Sequence, residues 1–89
     1  MGQGSVVSRI YIGNLSYKLT TDELREEFET VGRLKEASIV VDRSTGESKG
    51  FAFCEYFTEE DARKALLKDG QELKGRPMRI NPARERSKR

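Results

Sequence analysis

Residues 51–56 read Phe-Ala-Phe-Cys-Glu-Tyr, and this alternation constrains the fold more than any other stretch of the chain. In an extended strand successive side chains point to opposite faces, so Phe51, Phe53 and Glu55 share one face and Ala52, Cys54 and Tyr56 the other. Small Ala52 and Cys54 suit a crowded contact with helices. Phe51 and Phe53 then point away from that contact. Such a strand belongs in a sheet covered by helices on one side only.

The rest of the chain supplies the matching parts. Arg9-Ile10-Tyr11-Ile12-Gly13-Asn14 is a short β-rich run ended by turn residues, a first strand with Ile10 and Ile12 on the covered side and Tyr11 beside the phenylalanines. Thr20 with Glu23 forms a capping box, Leu24, Phe28 and Val31 follow at helical spacing, and Gly32 is the expected C-cap of a first helix. Leu34 to Val41 predicts a second strand, and residues 42–48, polar with Gly46, predict a loop. Thr58-Glu59-Glu60-Asp61 repeats the capping pattern before Ala62, Ala65 and Leu66, so the second helix is short and stops near Asp69-Gly70. Gly75-Arg76-Pro77 turns the chain into a last strand, Met78 to Asn81, ended by Pro82.

The order is β-α-β-β-α-β, an α+β ferredoxin-like sandwich with a four-stranded antiparallel sheet and two helices on one face. Residues 1–8 read as a flexible arm, 9–83 as the domain and 84–89 as a basic tail. Nothing in 89 residues is left to cover the second face of the sheet. Three rings there, Tyr11, Phe51 and Phe53, are unfavourable in water unless something covers them.

Composition narrows the chemistry. Histidine is absent and Cys54 is the one cysteine, so no disulfide, cysteine zinc site or histidine base can be assembled, and neither catalysis nor any metal or cofactor is expected. The net charge is only +2 although 36% of residues are charged, so any nucleic-acid site depends on the placement of charge. No apolar run matches a signal-peptide core or a membrane span, and the Asn14-Leu15-Ser16 sequon is read as coincidence. The expectation is an intracellular monomer, with the basic tail favouring the nucleus.

These residues carry a family resemblance. Lys49-Gly50-Phe51-Ala52-Phe53-Cys54-Glu55-Tyr56 resembles the octamer ribonucleoprotein motif of RNA recognition motifs, with Cys54 in place of the usual aliphatic residue. Ile10-Tyr11-Ile12-Gly13-Asn14-Leu15 looks like the companion hexamer. The resemblance implies single-stranded RNA as partner, with bases stacked on Tyr11 and Phe53, sugars against Phe51, and Lys49 on a phosphate. Arg79 and Asn81 would add polar contacts from the last strand, and Arg84, Arg86 and their neighbours in the tail would follow the RNA. Arg9 and Arg43 lie nearer the rim. Between Ala65 and Gly70 the chain is one residue tighter than many members of that family.

Two other functions fit the same topology. A protein-interaction module would use a helix, and the acidic first helix (Asp22, Glu23, Glu26, Glu27, Glu29) offers a surface for a protein partner as well as a simple solvated face. Intact Tyr11, Phe51 and Phe53 count against that as the sole role. A small acylphosphatase-like enzyme would need an anion-binding loop with arginine, whereas the loop after the first strand is Asn14-Leu15-Ser16-Tyr17-Lys18.

Overall fold

The computed structural model describes residues 8–83; the N-terminal arm up to residue 7 and the tail residues Arg84 and Arg86 lie outside the described residues. The elements are β1 (Arg9–Gly13), α1 (Thr21–Phe28), β2 (Leu34–Val41), β3 (Ser48–Tyr56), α2 (Glu59–Leu66), β4 (Glu72–Leu73), β5 (Arg76–Pro77) and β6 (Arg79–Pro82). The main sheet is antiparallel in the order β2-β3-β1-β6, which puts the two aromatic strands at its centre.

Both helices begin as their sequences dictate. Thr20 Oγ1 accepts from the Glu23 N–H at 3.2 Å and Glu23 Oε1 accepts from the Thr20 N–H at 3.0 Å, so two otherwise orphaned donors are satisfied. Thr58 Oγ1 accepts from the Asp61 N–H at 3.2 Å. The helices bury Leu24, Phe28, Ala62 and Ala65 against Ile10, Ile12, Ala52, Cys54 and Tyr56, all under 2% exposed. This core leaves no room for a polar atom without a partner, and the Tyr56 hydroxyl donates to the Phe28 carbonyl at 2.6 Å, satisfying an acceptor at the end of α1.

Several boundaries differ from the sequence expectation. Helix α1 ends at Phe28 with Glu29 as its cap, so Gly32 is not the C-cap. Strand β1 stops at Gly13 because Asn14 takes φ 60°, a left-handed conformation that asparagine tolerates. The polar loop is a residue shorter than expected, since β3 begins at Ser48. Met78 precedes the last strand, its N–H and carbonyl already bonded to Gln71 and Gly70. Pro82 lies inside β6: it sits on an edge strand, and the Arg9 carbonyl takes its bond from the Ala83 N–H at 2.8 Å, so no donor is missed.

Strands β4 and β5 form a small hairpin that the sequence reading missed. Lys74 and Gly75 have φ 53° and 82°, the double left-handed geometry of a two-residue hairpin turn. The tight segment after α2 winds with N–H to i−3 carbonyl bonds at Leu67, Lys68 and Asp69. That winding rises more per residue than an α-helix, so fewer residues span the gap. Asp69 then accepts the Ile80 N–H at 2.7 Å, covering a donor on the exposed edge of β6.

Candidate nucleic-acid interface

Strand register builds the uncovered face. Tyr11 stands opposite Phe53 on one side and opposite Asn81 on the other, while Ser38 of β2 stands opposite Phe53. Tyr11, Phe51 and Phe53 are all partly exposed. Their ring centroids lie 5.7 Å (Tyr11–Phe51), 5.8 Å (Tyr11–Phe53) and 6.3 Å (Phe51–Phe53) apart. The latter two pairs meet edge to face, the arrangement favoured by aromatic quadrupoles, and each ring thereby restrains its neighbours. The result is a preformed apolar platform with little side-chain freedom left to lose on binding.

Gly13 is part of this platform, although sequence reasoning took it only as a turn residue. It follows Tyr11 on the same face, and a Cβ there would stand 2.9 Å from two Tyr11 ring carbons. The missing side chain lets the Tyr11 ring lie back along β1. The signal was present in the sequence as a glycine two positions after an outward-facing tyrosine.

The cations are distributed differently from the expectation. Arg9, placed at the rim by the sequence, carries its guanidinium 4.9 Å from the Phe53 ring centroid, a cation–π contact. Arg79 has the register of the open face, opposite Gly13, yet its Nε lies 3.9 Å from the Asp69 carboxylate at the sheet edge. That pair is well exposed and contributes little stability, so it does not fix Arg79 there. Asn81 is exposed beside Tyr11. Arg43 is exposed in the loop after β2.

Lys49 stands at an irregularity of the sheet yet keeps the burial alternation of β3, exposed between half-buried Ser48 and buried Gly50. Between Ile39↔Ala52 and Val41↔Ser48, β3 carries two more residues than β2, and Gly50 takes φ 86° within this bulge. Exposed Lys49 lines a cleft with Tyr17 and the loop after β2. Cys54 lies on the covered side at 1% exposure, as expected, and burial pushes its thiol up to about 12.

Two of the acids of α1 are engaged by lysines from elsewhere in the chain. Lys68 Nζ lies 2.9 Å from Glu27 and Lys74 Nζ 3.2 Å from Glu23, tying the end of α2 and the hairpin to this helix. The Thr20 backbone N–H, with Lys74 beside it, holds the Glu23 carboxyl below its ordinary 4.5. Among the described residues no helix is long and apolar enough to cross a membrane, and no group of three or more His, Cys, Asp or Glu side chains is placed to hold a metal.

A helix-backed antiparallel sheet with an aromatic platform on its bare face is a two-layer α+β sandwich with one face open to a ligand. The family model described as the RNA recognition motif matches residues 10–79, and the chain belongs to that family. It is 46% identical over 79 residues to the mitochondrial glycine-rich RNA-binding protein 5 of Arabidopsis thaliana, covering 89% of this chain and 27% of that protein. It is 40% identical over 82 residues to the chloroplastic 28 kDa ribonucleoprotein of Spinacia oleracea, covering 91% and 35%. The crystal structure of RNA-binding protein PG1 superposes with a TM-score of 0.85 at 36% identity, covering 91% of this chain and 99% of that one. The chain thus spans about a quarter to a third of the two curated relatives' length.

Proposed function

We propose that this domain binds single-stranded RNA across the uncovered sheet face, without catalysis or cofactor chemistry. The observation that carries the reading is the packed triad of Tyr11, Phe51 and Phe53, three partly exposed rings within 6.3 Å of one another on the bare face. In this reading Tyr11 and Phe53 each stack one base and Phe51 packs on the sugars between them. Asn81, beside Tyr11, offers an amide to a base edge, and Arg79 leaves its weak pair with Asp69 for a phosphate. Arg9 stays near the Phe53 ring and covers the outer side of the bound base or its phosphate.

Membership in the RNA recognition motif family and the names of the relatives support RNA as the partner. A protein-docking role for α1 has weaker support, since Glu23 and Glu27 already neutralise Lys74 and Lys68. We place the protein inside the cell; the organelle names of the relatives lend the nuclear expectation no support. The test is a fluorescence-anisotropy titration of a labelled single-stranded RNA and of the same sequence as a duplex. The single strand is expected to bind more tightly, and Phe53→Ala to abolish that preference. Equal affinity for both forms would overturn the reading.

A further inference from the structure

Strand register sets polar side chains along one flank of the aromatic platform. Ser38 of β2 stands opposite Phe53, and one step along the same face Glu36 stands opposite Glu55, which in turn stands opposite Arg9 of β1. The two flanks therefore differ in chemistry. Asn81 and Arg79 lie along β6, while β2 presents a hydroxyl and a carboxylate. Two carboxylates directly across a strand pair repel each other, and neither belongs to the core.

The two carboxylates are not equivalent. Glu55 has Lys35 Nζ at 4.0 Å and Arg9 across the strand pair. Glu36 is exposed and has no ion-pair partner among the described residues. With Ser38, Glu55 and Arg9 it borders a hollow of about 30 Å³ beside the Phe53 ring, large enough for one water-sized polar group and too small for a base. A base stacked on Phe53 can rest its ring on the platform and reach the hollow only with a group on its edge.

We propose that Glu36, with Ser38 beside it, selects guanine at the Phe53 position by reading its Watson–Crick edge. The inference rests on the reading of the sheet face given above. Stacking accepts any base, so the choice falls to the flank. An ionised carboxylate only accepts hydrogen bonds, and its two oxygens match two adjacent donors. Guanine alone among the four bases has such donors on that edge, N1–H and the N2 amino group, followed by the O6 acceptor. Glu36 takes the two donors and the Ser38 hydroxyl donates to O6. Residues two apart on one strand face stand about 7 Å apart at the backbone, a spacing that the long glutamate side chain closes to the width of a base edge. Adenine and cytosine offer one amino donor beside a ring-nitrogen acceptor, and uracil one N–H between two carbonyls. Each of these sets an acceptor against the carboxylate. The negative charge of β2 also opposes phosphate on that flank and leaves the backbone to Arg79 along β6.

The experiment is a fluorescence-anisotropy titration of labelled uridine oligomers of about five nucleotides, carrying guanine, adenine, cytosine or uracil at the centre. They are titrated against the whole chain and against Glu36→Gln, Ser38→Ala and Phe53→Ala. The wild type is expected to bind the guanine oligomer at least about fivefold more tightly than any other. Glu36→Gln, which keeps the size and removes one acceptor, should bring guanine to within about twofold of the rest. It should bind the all-uridine oligomer no more weakly than the wild type does, with a melting temperature held or raised because Glu55 loses its like-charged neighbour. Ser38→Ala should narrow the preference by a smaller factor. Inosine at the centre, which lacks the N2 amino group, should lose part of the preference, and 7-deazaguanine, altered only on the opposite edge, should keep it. No guanine preference in the wild type, an undiminished preference in Glu36→Gln or Ser38→Ala, or its loss with 7-deazaguanine would overturn the inference. Phe53→Ala should weaken all the oligomers; its failure to do so would overturn the sheet-face reading instead.

Discussion

Arg76 donates from Nη2 to the side-chain oxygen of Asn14 at 2.6 Å, across 62 positions of sequence. The same guanidinium reaches the Asn14 carbonyl from Nε at 3.3 Å, and Asn14 Nδ2 donates to the Pro77 carbonyl at 2.7 Å. One left-handed asparagine thus joins the loop after β1 to the hairpin before β6, fixing the frame from which both Tyr17 and β6 project. The sequon nitrogen is itself one of the bonded atoms.

Asn14→Ala should therefore destabilise the domain by about 2 kcal/mol, combining lost hydrogen bonds with a Cβ at positive φ that alanine tolerates poorly. Asn14→Gly keeps the conformation and loses only the bonds, so it should cost about half as much. Denaturant melts check the ranking wild type, then glycine, then alanine; alanine at or above glycine would mean that the left-handed backbone is not the constraint.

Phe51→Ala and Phe53→Ala should each weaken RNA binding by about 1–3 kcal/mol, roughly 5- to 150-fold, with the fold retained. Because both rings stand outside the core, the melting temperature should fall far less than for truncation of a buried ring such as Phe28. Circular-dichroism melts run beside the titrations separate the two effects. A collapse of stability without a separate loss of affinity would place these rings in the core.

Gly13→Ala tests the seating of Tyr11. The added methyl stands within 2.9 Å of the ring, which must rotate away and break its contacts with Phe51 and Phe53. We expect about 1 kcal/mol of lost RNA affinity, close to fivefold, at the lower end of the range for a stacked base. Unchanged affinity would show that Tyr11 moves freely and that the ring position is not preset.

Stability should fall at alkaline pH. The unfolded chain loses the Cys54 proton near the ordinary 9.0, while burial holds it in the native state up to about 12. Between those values the native state binds more protons than the unfolded state, so stability present below pH 9 declines by up to about 1.4 kcal/mol per pH unit. Burial shifts Tyr56 upward as well, adding to the decline in the same region. Cys54→Val should change stability at pH 7 by about 1 kcal/mol or less and flatten the alkaline slope. Equal slopes in the two proteins, or rapid labelling of the native thiol, would contradict its burial.

Charge should contribute modestly to affinity. Two to four phosphate contacts give a slope of log affinity on log salt of roughly −1.4 to −2.8 for a single strand, at about 0.7 per contact. Removing residues 84–89 should flatten that slope by about 1.4 if Arg84 and Arg86 each meet one phosphate. A wild-type slope near −6 would mean that charge and not the aromatic sheet dominates binding.

The sequence alone determined which side of the first and third strands faces the helices. Ile10, Ile12, Ala52, Cys54 and Tyr56 are buried and Tyr11, Phe51 and Phe53 are not, because side-chain direction in a strand is a local property of the backbone. The helix starts at Thr20 and Thr58 were legible for the same reason, since a cap is made by residues three apart. Tertiary structure alone decided what depends on distant partners. Strands of two residues carry no periodic signal, so the hairpin at Lys74-Gly75 became visible only in its register. The bulge at Gly50, where β3 carries two more residues than β2 while pairing with both β1 and β2, is likewise a matter of register between strands. Arg9 found Phe53, and Asn14 found Arg76, through pairings between chain segments that no local pattern encodes.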